Sequence, residues 1–156
     1  MMRSFILVAV VSVGLSACGQ APKAPVGPPP VVGVYTSASD CEDAQKLNIE
    51  QCNQLIQMAV EDHRKIAKTY ISNRLCEAAE GVDHCERTEE NAYRSQLQAF
   101  LVTFSNPPAA QGLYAGADPA VASFQTLDKK RAILAVDETL LFSRNARFVA
   151  EGNAKK

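Results

Sequence analysis

The sequence predicts an α+β fold: a small disulfide-stapled helical N-terminal part, made of two short-helix/long-helix units, followed by a short antiparallel β-meander. Three observations predict it. "YTSASDCEDA" at Tyr35–Ala44 recurs as "YISNRLCEAA" at Tyr70–Ala79, with tyrosine, serine, cysteine, glutamate and alanine in step. Each copy leads into apolar residues at i, i+3, i+4 spacing, the mark of a helix with one buried face. Beyond Pro108 the apolar runs become short and are broken by turn residues, as in a meander.

The chain opens with a processing segment. Arg3 supplies a thin basic region, Phe5 to Val13 form an apolar stretch, and "LSAC" at Leu15 to Cys18 ends it with small residues. The stretch falls short of the roughly 20 apolar residues a spanning helix needs. Residues 1–17 are therefore read as a signal peptide. The ending resembles a lipobox, which makes Cys18 the lipidation site and the first residue after cleavage. Two or three acyl chains on one residue give stable membrane anchoring where one would be marginal. Gly19, in place of Asp, favours sorting to the outer membrane, facing the periplasm. Residues 18–32 form the anchor and a Pro-rich tether, "GQAPKAPVGPPP" at its centre. Proline keeps such a segment extended at about 3.1 Å per residue, a stand-off of roughly 35 to 40 Å.

Residues 33–105 are read as the stapled helical region. Ser39 and Glu42 match a capping box, so a short helix is expected from Asp40 to near Asn48. A longer helix follows from Cys52, with Leu55, Ile56, Ala59, Val60, Ile66, Ala67 and Tyr70 on one face. In the second unit Ser72 caps a short helix that Gly81 closes in left-handed geometry. Thr88, followed by Glu89 and Glu90, is then expected to open a long helix carrying Tyr93, Leu97, Phe100, Leu101 and Phe104, ended by "NPP" at Asn106 to Pro108. Residues 106–152 make the β-rich part of the same domain. "QGLYAGADPA" reads as a loop, and "ASFQTLD", "AILAVD", "TLLF" and "ARFV" as short strands.

Setting Cys18 aside leaves an even set, Cys41, Cys52, Cys76 and Cys85, which in an oxidising compartment reads as two disulfides. Three pairings satisfy four cysteines. The repeat favours local staples, Cys41 with Cys52 and Cys76 with Cys85, each contributing about 2 to 3 kcal/mol through chain entropy. A cross-linked hairpin, Cys41 with Cys85 and Cys52 with Cys76, is the alternative.

The stretches "VYTSASDC", "EQC", "CEAAEGVDHC" and "QGLYAGADPAVASFQTLD" resemble the uncharacterised bacterial lipoprotein family represented by YgiB, with its lipobox and paired-cysteine units. The chain lacks that family's long Gly-, Met- and Gln-rich middle and its Ser/Thr-rich tail. The resemblance implies an envelope lipoprotein without an assigned activity.

Little in the chain points to catalysis, and no enzymatic activity, cofactor or metal is expected. Hydrolase, zincin, P-loop and dinucleotide motifs are absent from the sequence. Glu61 with Asp62 and Glu89 with Glu90 are neighbours that do not share a helix face, and read as solvated charge. In "VDHCE" the histidine, His84, reads as a solvated member of a disulfide loop, since zinc-type spacing is lacking. "DKKR" at Asp128 to Arg131 reads as an exposed turn that could touch anionic headgroups or cell-wall polymer. A formal charge of -1 argues against nucleic-acid binding.

Two functional readings follow. The first is a structural or interaction module on the periplasmic face of the outer membrane, tethered by its acyl chains and docking an envelope protein or a second copy of itself, with Tyr35 and Tyr70 read either as its anchors or, equally, as core. The alternative is a small-ligand binding lipoprotein, with a cavity between helices and strands where His63 or Tyr114 supplies polar contacts. Apart from either reading, His63, on the apolar stripe of the long helix, is expected to be a partly buried, hydrogen-bonded core residue rather than a catalyst.

Overall fold

Short polar N-caps start every described helix, and the strands between them are mostly three to five residues long. The computed structural model describes Pro28 and residues 31–155; the segment expected to be a signal peptide, the expected lipidation site Cys18 and most of the Pro-rich stretch lie outside the described residues. Strand β1 (Val32–Tyr35) leads into α1 (Ala38–Glu42) and the long α2 (Ile49–Ile66). The second unit runs β2 (Thr69–Tyr70), α3 (Asn73–Glu80), β3 (Cys85–Arg87) and β4 (Tyr93–Ser95). Then come β5 (Ala99–Thr103), β6 (Ala109–Ala115), β7 (Ser123–Gln125), β8 (Ala132–Leu134), β9 (Leu141–Phe142) and α4 (Arg144–Asn153).

Six strands form one sheet in the order β8-β7-β6-β5-β1-β9, antiparallel except for the parallel β1–β9 pair. A second sheet has the order β2-β4-β3. Side chains alternate across a strand, so the six-stranded sheet builds two cores. Val34, Leu101, Leu113 and Phe124 pack on one face with Ala146 and Ala150 of α4. Tyr35, Val102, Cys41, Cys52 and Leu55 form the other core, under α1 and α2. The result is an α+β domain with helices on both faces of its main sheet.

The repeated sequence unit is a strand–cap–helix corner. Ser37 caps α1 and Ser72 caps α3, each accepting from a backbone N–H in the first turn. In each unit the cysteine sits four residues after its cap and is fully buried. Cys41 is bonded to Cys52 at the start of α2, and Cys76 to Cys85 at the start of β3.

Several sequence expectations are corrected. The first cap is Ser37, not Ser39, and α1 ends at Glu42; Asn48 and Gln51 then form the capping box that starts α2. Gly81 closes α3 at φ 107 and ψ 154, a positive-φ extended conformation outside the left-handed helical region. Instead of opening a helix, Thr88 closes the β3–β4 hairpin: its N–H donates to Ala92 O at 2.8 Å and its hydroxyl accepts from Ala92 N at 3.1 Å. The residues expected on that helix fall largely in β4 and β5. "AFLVT", rich in aromatic and β-branched residues, becomes a central strand held between β1 and β6. Much of the expected "QGLYAGADPA" loop is β6, where Gly112 makes room for Leu97, which a Cβ would strike. "ARFV" lies in α4, capped by Ser143, whose Oγ accepts from Ala146 N. Helical and β-rich parts are thus not separate, because β1 and β5, both within residues 33–105, are inner strands of the main sheet.

Candidate functional site

Leu55, Ala59 and His63 are spaced one helical turn apart and are the buried stripe of α2. On the facing sheet, Leu113 of β6 points to the α4 core, so its neighbour Tyr114 points to α2. The two periodicities bring together residues fifty-one positions apart: His63 Nδ1 lies 2.8 Å from Tyr114 Oη, with ring centroids 5.6 Å apart. The other imidazole nitrogen, Nε2, lies 3.3 Å from Glu86 Oε1 on β3. Glu86 faces Arg94 across the β3–β4 ladder, and Arg94 Nε donates to the same carboxylate oxygen at 2.6 Å.

The proton positions follow from electrostatics. Burial pushes the His63 pKa below its ordinary 6.5; the Glu86 hydrogen bond opposes this, while Arg94 and Arg64 add to it. Burial, with Glu86 nearby, pushes the Tyr114 phenol up to about 12. A neutral imidazole and a protonated phenol leave one consistent arrangement: Tyr114 O–H donates to Nδ1, and Nε2–H donates to Glu86. Tyr114, His63, Glu86 and Arg94 thus form one continuous hydrogen-bonded chain.

A cleft of about 650 Å³ opens beside this pair, between α2, β6 and the β7–β8 turn. Ala59, Ile66 and Ala110 make its walls apolar, and Asp128 and Arg131 stand at the turn. The volume is that of a small-molecule site. The "DKKR" run therefore borders a cleft. Lys129 from the same run reaches away to Glu80 Oε2, at 3.0 Å.

The other two tyrosines named from the sequence lie elsewhere. Tyr35 is 2 % exposed, packed edge-on to Phe104, and its buried hydroxyl has no partner among the described residues. It is core rather than a docking anchor. Tyr70 is half-buried, donates to Glu80 Oε1 at 2.6 Å and carries Lys68 over its ring. Sequence reasoning missed Glu86 and Arg94, whose pairing becomes visible only when residues 85–95 are read as a hairpin. His84, read as solvated, is half-buried, with an Nε2 that finds no partner among the described residues. No group of three His, Cys, Asp or Glu side chains among the described residues is placed to hold a metal ion, and no described helix is long and apolar enough to cross a membrane.

Fold and site together define a small, doubly stapled α+β module with a ligand-sized cleft floored by a buried histidine–tyrosine pair. The chain belongs to a family of proteins of unknown function, DUF1190, whose model matches residues 31–120. That span holds both disulfides and the whole Tyr114–His63–Glu86–Arg94 chain, and stops before β7. No curated protein and no solved structure matches the chain.

Proposed function

We propose that this protein is a cell-envelope lipoprotein that binds a small ligand in the cleft between α2 and β6, tethered through Cys18 to the periplasmic face of the outer membrane. The observation that carries the reading is the 650 Å³ cleft with His63 and Tyr114 on its lining. Its apolar walls suit the body of a small molecule, and the fixed hydroxyl and imidazole suit one polar group on it. The envelope placement is supported by the Leu15–Cys18 ending, by the two disulfides and by the likeness to YgiB-type lipoproteins. Catalysis, cofactors and metals form no part of this reading.

Native mass spectrometry of the full-length protein extracted from envelope membranes tests it. A mass increment beyond the acyl chains is expected, and is lost in His63→Ala. Only the bare acylated mass, in repeated preparations, would sink the ligand reading. A second reading, an interaction module, has its own support: Ile71 and Val82, beyond the two ends of α3, are 89 % and 71 % exposed. Crosslinking and affinity capture from the same membranes would return a reproducible envelope protein, or a second copy, if that reading holds.

A further inference from the structure

The backbone of β6 has an open edge where it borders the His63 cleft. Along a strand, successive residues turn their N–H and C=O to opposite edges. Leu113 O accepts from Gln98 N at 2.8 Å on the β5 side, while Gly116 N, just past the strand, donates to Ser123 O at 3.1 Å on the β7 side. Even-numbered positions of β6 therefore turn toward β7. Tyr114 meets Gln125 there, but the register of the two strands ends with that pair. From Thr126 the chain folds back on itself, Thr126 N donating to Arg131 O at 3.1 Å. Gly112 and Ala110 face the same edge, and neither their N–H nor their C=O has a partner among the described residues. Both residues line the cleft of about 650 Å³.

The spacing of these groups narrows what completes the edge. One donor and one acceptor stand on each of two residues about 7 Å apart along the strand. A carboxylate only accepts and an ammonium only donates, so neither meets both kinds of group. An extended peptide directs an N–H and a C=O to one edge on every second residue, the same repeat, and peptides add to open sheet edges in this way. Side-chain direction follows from the pairing, because residues directly opposite in an antiparallel ladder share a face. Ala110 packs on the core under α1 and α2. Peptide residues bonded to Ala110 and Gly112 would turn their side chains to that same face, where Ala59, Ile66 and Leu127 line the cleft. We propose that the cleft binds a short extended peptide, added as an antiparallel strand to Ala110 and Gly112 of β6 along the line that β7 leaves, with apolar side chains turned toward α2. This rests on the cleft reading above and gives the class of its ligand.

The test is ¹H–¹⁵N NMR titration of the full-length chain in detergent with acetyl-Ser-Val-Ser-Val-Ser-amide. Two altered peptides accompany it, one N-methylated at both valines and one at the second and third serines. With the parent peptide, saturable shifts at Ala110, Gly112 and Leu127 are expected, together with slowed amide exchange at Ala110 and Gly112. Methylating the valines should weaken binding about 25-fold, two neutral hydrogen bonds at about fivefold each, while methylating the serines should change it by no more than about twofold. All three peptides meet the unaltered protein, so no variant has to fold. Equal binding by the two methylated peptides, or a loss that falls on the serine set, overturns the proposal while leaving the cleft an occupied site. The absence of any saturable shift with the three peptides also overturns it; a mass increment lost in His63→Ala would then keep the cleft reading without a peptide. Amides of Ala110 and Gly112 that are already protected in the free protein, increasingly so with its concentration, would mean that a second copy holds the edge, and overturn the proposal too.

Discussion

Asp40 accepts from Thr36 N at 2.8 Å, Thr36 Oγ1 at 3.1 Å, Ser143 Oγ at 2.6 Å and Asn145 Nδ2 at 3.2 Å, while only 6 % exposed. One carboxylate thus joins the start of α1 to the start of α4, across more than a hundred residues of sequence. Asp40→Ala would strand several of these donors, and a loss of about 2 to 3 kcal/mol in urea unfolding is expected. His63 makes a different test at the same scale. Its folded pKa lies below its ordinary 6.5, so as pH falls below 6.5 the unfolded chain takes up the proton first. Its contribution to stability is fully present above that pH, declines below it, and levels off once the folded imidazole is protonated too. Denaturant midpoints at pH 7.5 and 5.5 should show this decline in the unaltered protein. His63→Gln should remove that part of it, even if the variant is less stable throughout.

At the scale of elements, the repeat is informative beyond its staples. Aligning the two copies sets Ser37 against Ser72, and both are the caps. The S-x-x-E pattern at Ser39 was a weaker guide than the register of the repeat, because Asp40 is already inside the first turn and is held by Thr36. After their cysteines the two units diverge: one staple closes on a helix and the other on a strand. Each loop is about ten residues long, so replacing Cys41 and Cys52 together by Ala should lower stability by about 2 to 3 kcal/mol. Calorimetry of the variant measures this, and peptide mapping without reduction should recover Cys41 linked to Cys52 and Cys76 linked to Cys85. The misread segment after Thr88 shows where periodicity stops helping. Tyr93, Leu97, Phe100, Leu101 and Phe104 fit a helical stripe, yet Asn91 at φ 61 and the Thr88 hydroxyl close a tight turn just before them. A strand able to pair on both sides then overrides the stripe.

For the whole molecule, the tether and the domain make separate demands. On the proposed envelope reading, Cys18→Ser should leave the chain uncleaved and unacylated, as followed by gel mobility and by labelling with a palmitate analogue. A lipid-modified Cys18→Ser product would contradict the anchor. Local rules reached α2 and α3, the pairing preference of the cysteines, His63 as a buried polar residue and most of the inner face of α2, though Ile66 is exposed and Tyr70 lies in β2, because caps, helical spacing and short cystine loops are encoded within about twenty residues. The helix at α4 and the strand at β6 were beyond them, as was the choice between core and anchor for Tyr35. For α4 and Tyr35 the deciding partner lies far along the chain, Asp40 for the cap of α4 and Phe104 for the ring of Tyr35; β6 is decided by its neighbour β5, once that segment is a strand. The candidate site divides the same way. Sequence alone determined that a histidine would lie on the inner stripe of a long helix and that a tyrosine would follow the Pro-Pro turn. Only the tertiary structure decided that they meet at 2.8 Å over a cleft, with Glu86 and Arg94 behind them. Side-chain alternation on β6 and the register of β3 against β4 set that geometry, and both are fixed by antiparallel pairing of consecutive strands, which a helical reading of residues 88–105 leaves no room for.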